Sequence, residues 1–336
     1  MQSNKSKILF IIWLFLITWI GVLKAQKHIT PQFLANREVS VISFGSCNLQ
    51  SRPQTLFKTI LRQKPDLWIW MGDNIYGDTK DTSVLRAKYQ KLLSHPEYLE
   101  FISITPVAAV WDDHDFGVND ADSSYPPKIH SKKIFCDFFS ESADSPRRKR
   151  NGIYEYYDIG KDPNTIRLIL LDTRYNKGQP GPESSMLGES QWRWFEEILL
   201  QSPAALNIVV SSIQVFADRP IAENWREFPK DLVRLDSLLN VFGKKNVIFL
   251  SGDIHGAEIA RKTVFPANIV FHEITSSGMT HAFFLLNFVK NNFAFDPPFV
   301  KRNFGILKIK WGPPHRLIAQ IYNRKGKIVR ERYIDF

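Results

Sequence analysis

An α/β fold is predicted, on three observations. Short apolar segments alternate with helical ones along most of the chain, several of them end in clusters of Asp, Asn, His or Cys, and the C-terminal part changes to longer alternating strands. The first strand is expected at 39–45, a β-branched run ending at Gly45, with a helix near 53–63 after it. The run Asp66-Leu67-Trp68-Ile69-Trp70-Met71 is short and apolar enough for a buried strand. Helical segments follow around 82–102, then the apolar strand Pro106-Val107-Ala108-Ala109-Val110-Trp111. The stretch 117–152, rich in Asp, Ser, Pro and Arg, is expected to be irregular. Further buried strands are Arg167–Leu171, Asn207–Ser211 and Val247–Ser251, separated by helices near 189–200 and 229–241. Finally Ile306–Trp311 and Arg316–Ile334, turning at Arg324-Lys325-Gly326-Lys327, alternate like antiparallel strands with one wet face.

Composition agrees with a globular chain. Its 336 residues are 44% hydrophobic and 23% charged, which excludes disorder, and 17 Gly exclude a collagen-like repeat. No internal repeat or low-complexity linker is present. Nine Trp, 10 Tyr and 25 Phe supply a core that needs no metal merely to fold, so a metal would be there for chemistry.

Lys5 and Lys7, the apolar run Ile8–Leu23 and then Lys24-Ala25-Gln26 have the order of a secretory signal peptide. Sixteen apolar residues fall short of the roughly 20 a membrane helix needs, so cleavage near Ala25 is favoured over a marginal anchor. The expectation is an exported chain, periplasmic, secreted or membrane-anchored by that segment, with residues 1–25 as signal and 26–336 as one domain. Losing the first 25 residues removes three lysines and no acid, taking the formal charge from +10 to +7. A basic balance reads either as solvated surface or as attraction to anionic substrates and envelope surfaces. Two cysteines cannot build a disulfide scaffold. Cys136 reads as a core thiol on a helical face, whereas Cys47 sits where a first strand delivers functional groups.

The placement of polar groups carries the functional reading. Apolar strands end in Cys47-Asn48, Asp73-Asn74-Ile75-Tyr76-Gly77-Asp78, Asp112-Asp113-His114-Asp115, Asp172-Thr173-Arg174 and Asp253-Ile254-His255. The carboxyl ends of strands in an α/β sheet converge on one crevice. One such cluster is more often a turn, but so many acids in one place require raised pKa values or bound cations.

In that order the blocks resemble the metallophosphoesterase superfamily, and specifically its alkaline phosphatase D (PhoD-like) family. Gly72-Asp73-Asn74-Ile75-Tyr76 matches the tyrosine form of the second block. Trp111-Asp112-Asp113-His114-Asp115 and Gly252-Asp253-Ile254-His255 stand for the third and last. Phe44-Gly45-Ser46-Cys47-Asn48 replaces the usual Asp-x-His, and that Cys, with Leu171-Asp172-Thr173-Arg174 and Ser276-Ser277-Gly278, is what resembles the D family. The resemblance implies a four-layer sandwich of two mixed β-sheets flanked by helices. It implies metal ligands Cys47, Asp73, Tyr76, Asp113, Asp253 and His255, with Asp73 bridging two metals, and a pairing of ferric iron with calcium, another divalent metal being the alternative. His114 and Arg174 would be catalytic, Arg174 by binding phosphate, and Asn48 and Asn74 would line the substrate site with it. The expectation is a member without the N-terminal β-sandwich that some carry.

The function implied is metal-dependent hydrolysis of a phosphomonoester or phosphodiester, on a phosphorylated small molecule or a phospholipid, with peripheral envelope association and no specific nucleic acid. The alternatives are a phospholipase-type phosphodiesterase of the same fold and a non-catalytic calcium-binding envelope protein. A structural calcium site needs neither Tyr76, Cys47 nor His114, which favours the enzyme. Among the remaining residues, His281 and His272 are candidates behind the ligands. Asp115, Asn119 and Asp120 either hold calcium or order a loop, Arg147-Arg148-Lys149-Arg150 reads as an exposed loop, and Trp68, Trp70 and Trp111 as core.

Overall fold

Alternation within single strands builds the layers. In the strands Leu206–Val210 (β6) and Val247–Ser251 (β7), Ile208, Val210, Ile248 and Leu250 point to one core, while Val209, Val247 and Phe249 point to another. Strands that are apolar on both faces must be covered on both, and these are.

The computed structural model describes residues 28–336. One six-stranded sheet comprises Val41–Gly45 (β1), Leu67–Met71 (β2), Val107–Val110 (β3), Asn303–Lys310 (β10), Arg316–Asn323 (β11) and Ile328–Asp335 (β12). The other adds Glu155–Lys161 (β4), Asn164–Leu170 (β5), Ala257–Val264 (β8) and Ile269–Ser276 (β9) to β6 and β7. The strand orders are β12-β11-β10-β1-β2-β3 in the first and β4-β5-β6-β7-β9-β8 in the second. Strands β1 to β3 run parallel, as do β5, β6, β7 and β9, while β10 to β12, β4 and β8 pair antiparallel. Both sheets are therefore mixed.

The sheets face each other across the shared core that includes Ile42, Phe44, Leu168, Ile208, Ile248 and Ile274. Trp68 and Trp70 pack edge-on against Phe57 of the helix Leu56–Leu61, and Trp70 lies beside Tyr98 of the helix Pro96–Ile104. The helices Gly188–Leu200 and Pro229–Phe242 cover the outer face of the second sheet through Trp192, Phe195, Leu235 and Leu239. This is the expected sandwich of helices, two mixed sheets and helices.

Several expectations are corrected. Strands β4, β8 and β9 were not foreseen, whereas the helical segments expected around 82–102 are the helices Thr82–Leu93 and Pro96–Ile104, the second beginning at Pro96. The stretch 117–152 holds the helix Lys128–Phe138, with Cys136 buried in the core, and the short helix Pro146–Lys149. Arg147 is not on an exposed loop: it is buried, 3.0 Å from Glu141 and donating to the Ala109 carbonyl at 2.8 Å. The apolar run Ile8–Leu23 lies outside the described residues. Among the described residues no helix is long and apolar enough to cross a membrane. The expected localisation is corrected accordingly, since no membrane anchor is supported.

Candidate metal centre

Strand ends from both sheets meet at one point. Gly72 and Gly252 mark it, because each is a glycine out of steric necessity. A Cβ on Gly72, which has φ +90°, would lie 2.5 Å from the Asp112 Cβ, and one on Gly252 would lie 2.5 Å from Ser46 Oγ and 2.7 Å from the Met71 carbonyl. The ends of β1 and β2 thus touch the end of β7, and the end of β3 touches that of β2, with no space for a side chain between them.

The chain then turns sharply to aim its polar groups. Of the six expected ligands, Cys47 (φ 58°), Asp73 (φ 48°), Asp253 (φ 68°) and His255 (φ 52°) are left-handed without being glycine. That conformation costs about 1 kcal/mol or more per residue, and such strain gathers at functional sites. The Asn48 N–H donates to the Asp73 carbonyl at 2.9 Å and holds two of these turns together.

Cys47, Asp73 and His255 bring one ligand atom each within 4.8 Å of one another, and so do Asp73, Asp113 and His114. Asp73 is common to both groups. Its Oδ2 lies 3.3 Å from Cys47 Sγ and 3.4 Å from the Tyr76 hydroxyl, which lies 3.4 Å from His255 Nε2. Ser277 holds this half in place: its hydroxyl is 3.1 Å from Cys47 Sγ and accepts the His255 N–H at 2.8 Å. Cys47 and Cys136 are both free thiols.

His114 opens the short helix Asp113–Phe116 from its second position. Its Nδ1 is 2.5 Å from Asp78 Oδ1, and its ring lies against Tyr76 at a centroid distance of 4.2 Å. Burial pulls the imidazole pKa down, but the Asp78 hydrogen bond and the charge of Asp113 outweigh it, and the net shift is upward.

Behind these groups lies a network that is buried except for the partly exposed Glu223. Arg174 Nε donates to Asp112 Oδ1 at 2.5 Å, Nη1 lies 2.6 Å from Glu223 Oε2, and Nη2 lies 3.9 Å from Asp113. Asp112 Oδ1 also accepts from Ser212 at 2.7 Å. Burial still raises the Asp112 pKa to about 6 against the opposing pull of Arg174. For Asp113 burial is outweighed by Arg174, His114 and the Asp120 N–H, which hold its carboxyl below the usual range.

Three residues expected to meet substrate have other partners. Arg174 is fully buried among acids, a counter-charge within the protein. Asn74 spends its amide donors on the Val110 carbonyl and on Asp115, at 2.9 and 2.5 Å, and Asn48 donates to the Asn74 carbonyl at 3.2 Å. Asp115 orders the loop, accepting also from the Asp112 N–H at 2.6 Å and from Tyr89. Asn119 donates to Asp120, which lies beside Asp113 and Glu223. His272 sits in β9 against Phe295, four residues before the end of the strand.

Sequence reasoning gave little or no weight to Asp78, Ser277, Glu223 and His281. His281 Nε2 lies 3.1 Å from the Tyr76 hydroxyl, its Nδ1 3.0 Å from the Thr280 hydroxyl, and its ring 4.4 Å from that of His255. Asp78 ends the run that follows Gly72, and Ser277 lies in the noted Ser-Ser-Gly, so both had a local signal. Glu223 is far along the chain and had none. Past His281 the segment Phe283, Phe284, Leu285 and Phe288 exposes bulky apolar side chains beside the site, with the Phe283 N–H on the His255 carbonyl at 2.9 Å.

The residues fit metal ions. Asp73 Oδ1, Asp112 Oδ2 and Asp113 Oδ1 are buried without a hydrogen-bond partner. Burial, then neighbouring carboxylates, push the pKa of Asp73 upward, and the same causes act on Asp253. Burial and the Asp73 charge likewise raise Cys47. Orphaned oxygens and mutually repelling acids are what cations relieve, and a thiol, a phenol, carboxylates and imidazole form a complete donor set.

Comparison with known proteins gives the same reading. No curated sequence matches the chain. Among solved structures it is similar to "Structure of PhoD", with TM-score 0.71 and 16% identity over 89% of this chain and 72% of that one. It is also similar to "GAP50 the anchor in the inner membrane complex of Plasmodium", with TM-score 0.60 and 12% identity over 88% and 89% of the two chains. A third is a dimetal phosphatase from Danio rerio, with TM-score 0.56 and 14% identity over 89% and 99%. Identities this low establish the shared fold. The family model for PhoD-like phosphatase matches residues 42–293, three quarters of the chain and every strand end described above, and the protein therefore belongs to the PhoD-like phosphatases, as a phosphoric ester hydrolase.

Proposed function

We propose that the protein hydrolyses phosphomonoesters or phosphodiesters, of a phosphorylated small molecule or a phospholipid, at a site for two or more metal ions. The single observation that supports this most is Asp73, whose carboxylate belongs to two ligand groups at once while one oxygen remains unpartnered. Cys47, Asp73, Tyr76 and His255 would hold one ion, with ferric iron suited to the soft anionic thiolate and phenolate. Asp73, Asp113 and Asp253 would hold the other, with calcium suited to an oxygen-rich set. When bound, such ions supply positive charge that clamps a phosphoryl group and lowers the pKa of the attacking water.

The chain's own groups do the rest. Asp78 fixes the imidazole of His114 through Nδ1, which leaves Nε2 to deliver a proton to the departing alcohol oxygen. Tyr76, whose ring lies tilted against the imidazole at a centroid distance of 4.2 Å, limits its rotation. Arg174 keeps Asp113 and Glu223 ionised and opposes protonation of Asp112, so that Asp113 can serve as a ligand without first losing a proton.

Asp73→Asn and Asp253→Asn test the reading. Each should abolish turnover and lower the metal content measured by elemental analysis, with the far-ultraviolet circular dichroism unchanged. A fully metallated, fully active Asp73→Asn protein would remove its main support.

A further inference from the structure

Next to the site lies a cavity that the hydrolytic reading leaves without a use. It has a volume of about 590 Å³ and is lined by Phe299, Lys301, Arg302, Arg324, Lys325 and Lys327. Among the described residues, none of these five cations has an acidic partner within 4 Å. By contrast, Arg147, Arg148, Arg234 and Arg332 are each paired with an acid.

The cluster is held in place. Asn323 closes the turn between β11 and β12: its side-chain oxygen accepts the N–H groups of Lys325 and Lys327 at 2.9 and 3.2 Å, and its carbonyl accepts that of Gly326 at 2.9 Å. Arg302 Nε donates to the Met279 carbonyl at 2.9 Å, and Arg52 donates to the next carbonyl, that of Thr280, at 3.0 Å. Burial, then the nearby charges of Arg324 and Arg52, lower the Arg302 pKa. Lys301, Arg324, Lys325 and Lys327 are exposed, and positive charges gathered on one surface without counter-charges attract an anion.

The cavity also adjoins the metal centre. Phe299 exchanges backbone hydrogen bonds with Ala257, two residues past His255, at 2.7 and 3.1 Å. Met279 and Thr280, whose carbonyls Arg302 and Arg52 hold, donate their N–H groups to the Ser46 and Cys47 carbonyls. Met279 and Thr280 therefore link the Ser46–Cys47 turn to Arg302 and Arg52.

We propose that this cavity is a second anion subsite, which binds a phosphate group of the substrate other than the one undergoing hydrolysis. The inference rests on the phosphoester reading and narrows it to substrates with two or more phosphate groups. Phe299 forms an apolar wall for the carbon linker between them. A substrate with one phosphate gains nothing from the cavity.

The first test is binding of inorganic pyrophosphate to the full-length, metal-free protein by titration calorimetry. Wild type should bind it, more weakly as salt rises. The pair Lys325→Ala/Lys327→Ala should raise Kd about tenfold or more, since two charge-assisted contacts are lost. Absence of binding, or binding that the pair does not change, overturns the proposal. The second test uses the metal-loaded protein and two nitrophenyl phosphodiesters that differ only in a terminal phosphate or hydroxyl on the second alcohol. The pair should raise KM for the phosphate-bearing ester, leave kcat alone, and leave the hydroxyl ester unaffected. Equal wild-type KM values for the two esters sink the subsite. Hydrolysis of neither sinks the phosphoesterase reading, while the calorimetry still judges the cavity. Cosedimentation with phosphatidylglycerol vesicles separates the remaining source of phosphate. If the pair abolishes vesicle binding but leaves KM for the soluble ester unchanged, the cations serve a lipid surface and the proposal falls.

Discussion

Nδ1 of His114 lies 2.5 Å from Oδ1 of Asp78, thirty-six residues earlier in the chain, and this contact decides which ring nitrogen is left for chemistry. A carboxylate on Nδ1 fixes the proton there in the neutral ring and stabilises the imidazolium in the charged one. His114→Ala should keep most of the metal and lose roughly 10² to 10⁴ in rate on esters with poor leaving groups. The loss should shrink for nitrophenyl esters, whose leaving oxygen needs little help. Asp78→Asn should show the same dependence on leaving group with a smaller loss, because only the orientation is weakened. If poor and good leaving groups suffer alike in His114→Ala, the residue positions and does not protonate.

Arg174 gives a prediction about stability. It is the cation between Asp112, Asp113 and Glu223, and all four side chains are buried or nearly so. Removing one partner of a buried ion pair costs about 3–5 kcal/mol, because an uncompensated charge is left behind. Arg174→Met should lower the unfolding free energy in urea by that order. Adding Asp112→Asn should recover part of the loss, since one stranded carboxylate becomes neutral. A single variant within about 0.5 kcal/mol of wild type, the usual range for an indifferent surface change, would contradict this account.

His28 provides an acid-sensitive contact remote from the metal centre. It is buried against Phe138, Phe139 and Tyr98, with its Nε2 2.9 Å from the Tyr98 hydroxyl, and burial lowers its pKa to about 4. Between about 6.5 and 4 the unfolded chain binds a proton that the folded chain refuses. Its contribution to stability is therefore complete above pH 6.5 and is lost as the pH falls towards 4, by about 3 kcal/mol. His28→Phe should flatten that part of the stability curve. Urea midpoints at pH 7.5 and 4.5 would check it, and an identical drop in both proteins would assign the acid sensitivity to other groups.

The strands that end at the site were legible in the sequence because they are apolar on both faces and stop at a turn. Ile42, Trp70, Val110 and Leu250 each precede a polar cluster by only a few residues. Strand β9 was hidden because it carries Glu273, a charged residue in a paired, buried strand. Its carboxylate accepts the Val215 and Phe216 N–H groups at 2.7 and 2.6 Å, partners that no local pattern discloses. Arg147 was misread for the same reason, since a run of basic residues looks solvated until Glu141 and the Ala109 carbonyl are found beside it. Within the site, sequence order brought out the residues at strand ends. It gave no sign of Glu223, which depends on tertiary packing, nor that Arg174 would be enclosed by acids.

Tyr76 and Cys47 carry the choice of iron. Their side chains both lie near Asp73 Oδ2, at 3.4 and 3.3 Å, and burial raises the pKa of each, so neither would ionise without a cation beside it. A phenolate or thiolate on ferric iron donates electron density into a half-filled d shell and absorbs visible light, whereas calcium or zinc with the same ligands is colourless. The purified, metal-loaded protein should therefore be coloured. Tyr76→Phe removes only the hydroxyl and leaves the ring beside His114, so the band should vanish or shift sharply while the unfolding midpoint changes little. Cys47→Ser should alter the band and weaken iron retention, because a hydroxyl is much harder to deprotonate than a thiol. Visible spectra of the three proteins, with iron analysis of each sample, decide the matter. A colourless and fully active wild type would exclude iron while leaving metal-assisted hydrolysis intact, since Asp73, Asp113 and Asp253 would still hold oxygen-preferring ions.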